Sequence, residues 1–239
     1  MRVLIVAFAA ASSLTVVSVA EAADMPRAQP VYKLVPAPLP FAPDWSGLYV
    51  GGQFGYGWAH SSGTQDAGGT FFPAVPYTVD SHGVLGGGHA GYNYQIDSMV
   101  LGIEGDIEAA DIKGLTALTN AGNTFFFNAN IGTLASMRGR LGWVRDNWMF
   151  YATGGAAFGD ISTPPLDNLD GWRTGWTAGA GIERRDLPLF GPQWSTRLEY
   201  RYTDFGRATA TTASGATDDN KLAMHAIRLG LSYHFNLSR

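Results

Sequence analysis

The strongest constraint on this chain is a two-residue alternation of apolar and polar side chains, which recurs in eight segments from Trp45 onward. A period of two is typical of a β-strand whose two faces meet different surroundings. No run after Trp45 reaches the about 20 consecutive apolar residues that a transmembrane helix requires. The alternating segments are 45–59, 81–95, 99–111, 131–144, 147–160, 171–186, 193–206 and 221–235. The sequence therefore predicts an all-β protein with eight strands.

The connections between these segments alternate in length. Three are tight, at Ile96–Ser98, Arg145–Asn147 and Leu187–Pro192. The other four are rich in Gly, Thr, Asn, Ser and Asp, as exposed loops are, and they span 60–80, 112–130, 161–170 and 208–220. An even strand number with short turns at one rim and long loops at the other is the layout of bacterial outer-membrane barrels. We predict an eight-stranded antiparallel up-and-down transmembrane β-barrel with short periplasmic turns and long extracellular loops.

Alternation alone fits a soluble lipocalin-like barrel with an apolar lumen as well as a membrane barrel with an apolar outer wall. Opposite charges on the polar face favour the membrane barrel, and so does the low charged fraction of 15%, against about 25% in an average soluble domain. Aromatic residues also gather near both strand ends, as membrane interfaces select. The predicted belts comprise Trp45, Tyr92, Tyr94, Trp143, Trp148, Trp194, Tyr233 and Phe235 at the short-turn rim, and Tyr56, Trp58, Phe158, Trp172 and Tyr202 near the other rim.

Charges of both signs lie on the polar face of the predicted strands. Eight strands enclose an interior that side chains just fill, so we interpret these residues as a structural charge network in a filled polar lumen. They are Glu104, Asp106, Glu108, Arg138, Arg140, Arg173, Glu183, Arg197, Glu199, Arg201 and Arg228. Glu104, Asp106 and Glu108 would also suit a metal site or a catalytic site. The inward Arg138 and Arg140 on the next segment favour charge pairing, and we expect neither a metal nor a cofactor.

Two further motifs have a functional and a structural interpretation. Gly86–Gly88 resembles part of a phosphate loop, but no strand-to-helix transition follows it, so glycines that relieve crowding in a narrow barrel explain it better. His225, Ser232 and His234 suggest a lipid A hydrolase. A lipid-acting site should face outward, whereas Ser232 and His234 fall on the inward register, and we therefore predict no enzymatic activity.

The N-terminal region predicts export. Arg2 precedes the apolar run Val3–Ala11, and Ala20-Glu21-Ala22 supplies an A-x-A cleavage pattern, which together indicate a secretory signal peptide over 1–22. A membrane anchor is the alternative, but serines and a threonine interrupt the run and no basic stop follows it. Residues 23–44 carry half of the 12 prolines and predict an extended periplasmic leader. The barrel is assigned to 45–239.

Composition excludes several other classes of protein. The chain has no cysteine, which rules out a disulfide scaffold and a cysteine-ligated zinc site. Its formal net charge is −4 and its isoelectric point is about 5.7. A nucleic-acid-binding domain would carry a basic surface instead, so we expect no nucleic-acid partner.

Several short motifs are similar to those of one family. They are the Ala22-Ala23-Asp24 junction with the Pro-rich leader, and the segments 44–52, 102–106, 138–142, 151–156, 175–183 and 199–202. The terminal aromatic signal of the family corresponds to Tyr233-His234-Phe235, but here residues 236–239 follow it. They resemble the small outer-membrane β-barrel ("porin family") proteins of Gram-negative bacteria, whose architecture is related to that of OmpA and OmpX. The resemblance implies an outer-membrane location, outer-membrane lipid around the barrel and insertion by the outer-membrane assembly machinery.

Three functions remain open for such a barrel. The first is a structural or surface role in the cell envelope, with loops that bind envelope or host surface ligands. The second is a narrow channel for ions or small solutes, as the porin label implies. The third is an outer-membrane lipid-modifying enzyme. We favour the first, because the predicted lumen is filled.

Overall fold

The structure is a computed structural model, which describes residues 43–66, 75–120, 123–162, 171–187, 190–211 and 217–235. The predicted signal peptide, residues 23–42 of the predicted leader and the tips of the long loops lie outside these ranges. In the described part of the chain, no helix has the length and apolarity needed to cross a membrane.

Eight β-strands form one closed sheet. They are β1 (Gly47–Asp66), β2 (Val75–Ile96), β3 (Met99–Asn120), β4 (Asn123–Arg145), β5 (Trp148–Ser162), β6 (Gly171–Leu187), β7 (Gly191–Thr211) and β8 (Thr217–His234). Each strand pairs antiparallel with the next, and β8 pairs with β1, so the sheet is an up-and-down barrel. Closure leaves the sheet without an open edge, as lipid-exposed strands require. The predicted fold and strand number are confirmed.

Two of the predicted tight turns are formed around aspartates. Asp97 joins β2 to β3 and Asp146 joins β4 to β5, with φ of 53° and 55°. Aspartate is one of the few residues other than glycine that enter this left-handed region readily, because its short side chain can bond to the local backbone. These turns lie at the same rim as the chain termini of the barrel.

The strands are longer than the alternation predicts. Residues 112–130 were expected to form a loop, yet β3 continues to Asn120 and β4 begins at Asn123. The expected loop over 60–80 is likewise shortened, because β1 extends to Asp66 and β2 starts at Val75. The backbone ladder does not depend on an apolar outer face, so strand pairing continues beyond the point where the alternation of hydrophobicity ends. The barrel therefore projects past its outer aromatic residues.

A bulge reverses the predicted direction of one side chain. Ile131 was expected on the outer face, but it is only 2% exposed and packs inside the barrel. The register between β4 and β5 shifts between Ile131 and Thr133, so Gly132 is an extra residue. Because side chains alternate with a period of two, one inserted residue moves every position beyond it to the other face.

Candidate functional site

The inner surface of the barrel is the candidate functional site. All eleven predicted network residues lie on the inner face of the wall, and none is more than 8% exposed. Their side chains do not form one uniform network. From the periplasmic end outward, the lumen contains a capped polar region, a layer of ion pairs, and a layer of apolar side chains.

The ion-pair layer is formed by Glu104, Asp106, Glu108 and Glu199 with Arg138, Arg197, Arg201 and Arg228. Its four carboxylates and four guanidinium groups balance in charge. Arg138 of β4 is the centre of the layer. Its Nη2 contacts Glu104 and lies 2.8 Å from Asp106 Oδ2, while its Nη1 lies 3.1 Å from Glu199 Oε1. One guanidinium thus links β3 to β7 across the lumen.

The other three arginines of this layer complete the pairing. Arg197 Nη1 lies 2.5 Å from Glu104 Oε2, and Arg201 Nη2 lies 2.7 Å from Glu199 Oε1. Arg228 donates from Nε and Nη2 to the two oxygens of Glu108, at 2.9 Å and 2.8 Å. Such two-point bonds are the strongest form of arginine–carboxylate pairing. The layer crosses the lumen from wall to wall.

Arg140 and Glu183 form a separate pair closer to the periplasm. The Cζ atom of Arg140 also lies 3.8 Å from the ring centroid of Tyr151. Glu183 accepts a bond from Ser195 Oγ at 2.5 Å, and the same Ser195 hydroxyl lies 2.8 Å from His234 Nε2. These side chains fill the space between the ion-pair layer and the periplasmic mouth.

The mouth itself is capped by Trp45, which corrects one member of the predicted belts. Trp45 was expected at the lipid interface, but its side chain is fully buried. The indole packs edge-on against His234 at 5.6 Å, Arg185 Cζ lies 5.5 Å from its ring, and its backbone nitrogen donates to Gln95 Oε1 at 2.8 Å. Trp45 lies four residues before Tyr49, whose side chain points into the lumen. Because side chains alternate with a period of two, the Trp45 side chain also points inward, although the residue precedes β1.

An apolar layer lies on the extracellular side of the ion pairs. The sequence analysis did not predict it. It consists of Ala59, Leu85, Ile112, Ile131, Leu134, Ala157, Ile161, Phe205, Leu222, Met224 and Ala226, all at most 5% exposed. Above it, Arg173 Nη1 donates to Asn220 Oδ1 at 3.1 Å, and Asn220 Nδ2 donates to Ser61 Oγ at 2.7 Å. Arg173 therefore lies apart from the ion-pair layer to which the sequence assigned it.

The serine and histidine side chains of the lumen do not form a catalytic triad. Ser232 lies 2.7 Å from His89 Nε2, and Ser195 lies 2.8 Å from His234 Nε2. Glu183 also contacts His234 through Nε2, at 3.3 Å. In a triad the acid holds the opposite ring nitrogen, which leaves Nε2 free to activate the serine. The described residues also contain no group of three or more His, Cys, Asp or Glu that could hold a metal ion.

Comparison with known proteins agrees with this architecture. Residues 9–235 match the family described as the outer membrane protein beta-barrel domain. The chain belongs to this outer-membrane barrel family. The 25 kDa outer-membrane immunogenic protein of Brucella abortus is 34% identical over 218 residues, which cover 90% of each chain. The 31 kDa outer-membrane immunogenic protein of Brucella melitensis is 29% identical, over 80% of this chain and 84% of that one.

A solved structure supports the fold alone. The outer membrane protein OprG from Pseudomonas aeruginosa superimposes with a TM-score of 0.50 at 9% identity, covering 81% of this chain and 99% of that one. The family match and the Brucella relatives place the protein in the outer membrane, and turns in the periplasm with long hairpins outside the cell stay the predicted orientation.

Most of the predicted aromatic residues of this outer-membrane barrel do face outward. Trp58, Trp143, Trp148, Trp172 and Phe235 are 40–62% exposed. Trp194 and Tyr233 are less exposed, because their rings pack edge-on with centroids 5.3 Å apart. Near the other rim His225 stacks on Trp58 at 5.8 Å, and its Nδ1 lies 2.7 Å from the Tyr200 hydroxyl. His225 therefore belongs to the outer wall, away from both lumenal serine–histidine pairs.

Proposed function

We propose that the protein is a structural and surface component of the outer membrane, and that its lumen does not conduct solutes. The observation that carries this proposal is the layered filling of the lumen. A solute would have to pass Trp45, displace paired charges and then cross a layer lined by side chains such as Leu222 and Met224. An ion in that apolar layer would lose its hydration without gaining a partner, which is strongly unfavourable.

The strand number supports the same proposal. Barrels of eight strands have interiors that side chains fill, whereas open aqueous channels occur at about 16 strands. The arginines of the ion-pair layer are also held by carboxylates on other strands, so they cannot move aside independently. A narrow channel is the competing function, and it requires all three layers to open together.

Transport is tested with purified protein reconstituted in liposomes. In a gradient of a small sugar, we expect the swelling rate to equal that of empty vesicles, because on this proposal the three layers leave no continuous water path for the sugar. A general porin reconstituted at the same density serves as the positive control. Fast swelling that increases with the amount of protein would contradict a closed lumen and would place the channel function first.

A surface role is supported by the part of the barrel that projects outward. In the hairpin of β3 and β4, Leu115 is 64% exposed and Phe126 is 55% exposed. Apolar side chains at the end of a projecting hairpin suit contact with another envelope or host surface molecule. We assign the ligand-binding role, as part of this proposal, to this hairpin.

Surface display of the hairpin is tested by cysteine labelling. The natural chain has no cysteine, so a single Ala117→Cys substitution creates one labelling site at an exposed position of β3. A membrane-impermeant maleimide should label this variant on intact cells. The control Ser98→Cys lies in the turn between β2 and β3 at the opposite rim, and it should react only after lysis. If Ser98→Cys were labelled on intact cells and Ala117→Cys were not, the barrel would have the opposite orientation in the membrane.

A further inference from the structure

The outer wall carries an apolar groove with two arginines at its periplasmic end. The groove has a volume of about 750 Å³ and is bordered by β4 residues Leu141 and Trp143 on one side and by β7 residues Leu198 and Tyr200 on the other. Small side chains form its floor, since Ala152 of β5 pairs with Ala180 of β6. A volume of this size is within the range of small-molecule sites. We call this feature the arginine-flanked groove.

The two arginines lie in one row across the wall. Arg145 of β4 pairs with Trp148 of β5, and Trp148 pairs with Arg184 of β6. All three side chains point outward and are exposed, and the Arg184 guanidinium lies 5.3 Å from the Trp148 ring centroid. Adjacent strands are about 4.8 Å apart, so the two arginine Cα atoms lie about 10 Å apart and both side chains can reach one anion.

The charge of the two arginines is not balanced by any acid whose side chain the structure describes. Within the described part of the chain, Arg145 and Arg184 form no ion pair with a carboxylate. This contrasts with exposed cations at the extracellular end, where Arg207 pairs with Asp219 at 2.7 Å. The two arginines flank Trp148, at the level where interfacial aromatic side chains meet lipid headgroups. Its charge is thus available to a phosphate of the periplasmic leaflet.

The depth of the groove matches a lipid whose phosphate is held by this row. Ala152 and Ala180 lie four residues along their strands from Trp148 and Arg184, which is about 13 Å at 3.3 Å per residue. With the usual strand tilt this becomes about 10 Å toward the bilayer centre, inside a half-core about 15 Å thick. An acyl chain descending from the arginine row first passes the outward pair Phe150 and Ile182, which also line the groove, and then reaches the floor formed by the two alanines.

We propose that the arginine-flanked groove binds one anionic glycerophospholipid of the periplasmic leaflet. Arg145 and Arg184 hold the phosphate, and an acyl chain occupies the channel above Ala152 and Ala180. Two unpaired cations favour a lipid with net negative charge over a zwitterionic one. This inference concerns the outer wall and holds independently of whether the lumen conducts.

The barrel contains its own control for this proposal. A second apolar groove of about 490 Å³ is lined by Leu48, Val50, Ala90 and Ile103 among others. At its periplasmic end the outward side chain Ile96 is uncharged. We call it the neutral groove. If apolar shape alone retained lipid, both grooves would bind equally and headgroup charge would not matter.

The test is native mass spectrometry of the detergent-solubilised full barrel titrated with phosphatidylglycerol, with phosphatidylethanolamine as the comparison lipid. One variant, Arg145→Gln/Arg184→Gln, removes the charge, and a second, Ala152→Leu/Ala180→Leu, fills the floor. Both changes face outward, and a heat-modifiable gel shift verifies folding. Arg145→Gln/Arg184→Gln should weaken phosphatidylglycerol binding at least tenfold, the effect expected when basic contacts to an anionic lipid are lost. Ala152→Leu/Ala180→Leu should weaken it as well, because the leucine side chains occupy the space of the acyl chain.

The matched controls are Arg207→Gln, which removes a cation at the opposite end, and Ala90→Leu, which fills the neutral groove. Both should leave the affinity for phosphatidylglycerol unchanged. The proposal is overturned by equal binding of the two lipids, or by unchanged binding in both test variants. It is equally overturned if the wild type forms a dimer that Ala152→Leu/Ala180→Leu dissociates, because the groove would then hold a second copy of the chain.

Discussion

Replacing Arg138 by alanine is expected to destabilise the barrel by about 3–5 kcal/mol, the usual cost of removing one partner from a buried ion pair. The substitution removes the shared partner of Glu104, Asp106 and Glu199, and these three acids are buried, at most 7% exposed. The temperature at which the folded gel band converts to the unfolded band should therefore fall clearly in Arg138→Ala.

The matched control is Arg207→Ala. Arg207 also pairs with a carboxylate, that of Asp219, but its side chain is 68% exposed. Exposed ion pairs contribute only about 0–1 kcal/mol, so this variant should convert at nearly the wild-type temperature. Glu104→Ala should behave like Arg138→Ala, because it leaves Arg197 and Arg138 without one of their acids. Equal behaviour of Arg138→Ala and Arg207→Ala would contradict a buried ion-pair layer.

Replacing Trp45 by alanine is expected to destabilise the barrel by about 3–5 kcal/mol, as large-to-small changes of a buried aromatic do. Trp45 is fully buried and packs with His234 and Arg185 in the periplasmic mouth. Its removal leaves a cavity and exposes the polar side chains beneath it. Urea unfolding of the barrel in lipid vesicles, followed by tryptophan fluorescence, measures the loss of stability.

Trp143→Ala provides the comparison for this prediction. Trp143 is 49% exposed on the outer wall, where neighbouring lipid can fill the space left by the ring. We expect a smaller loss of stability than in Trp45→Ala. A larger loss in Trp143→Ala would mean that Trp45 lies at the lipid interface, as its position near the other aromatic residues suggests from sequence alone.

The strands within the membrane could be predicted because lipid imposes a simple rule on them. Outward residues such as Phe54 and Ile103 must be apolar, while inward residues such as Glu104 and Arg197 are polar, so the two faces differ at every step. The same contrast identified the charged residues that form the ion pairs. Which acid pairs with which arginine could not be read, since those contacts depend on strand register and side-chain length.

Where the inward and outward side chains of a strand are equally apolar, the alternation of hydrophobicity is lost. In β8 the inward Leu222 and Met224 flank the outward Ala223, so no period of two reveals the apolar layer. In β3 beyond Lys113 the outward Leu115 and Ala117 alternate only with the small Gly114 and Thr116, so the contrast between the faces is weak and the strand looks like a loop. Gly132 shifts the parity of β4 without any signal in the hydrophobic pattern. These errors in the strands thus occur where the two faces differ little in polarity or where an inserted residue shifts the parity.

The ion pairs of the lumen join strands that are made at very different times during synthesis. Glu104 contacts Arg197 across a separation of 93 residues, and Glu108 contacts Arg228 across 120 residues. Until β7 and β8 have arrived, β3 therefore presents carboxylates with only part of their counter-charge. Partly assembled barrels would have to keep this surface in water, since transfer of a carboxylate without a counter-charge into an apolar medium is strongly unfavourable. Completion of the last strand pair thus supplies the remaining counter-charges of the interior in the same step that closes the wall.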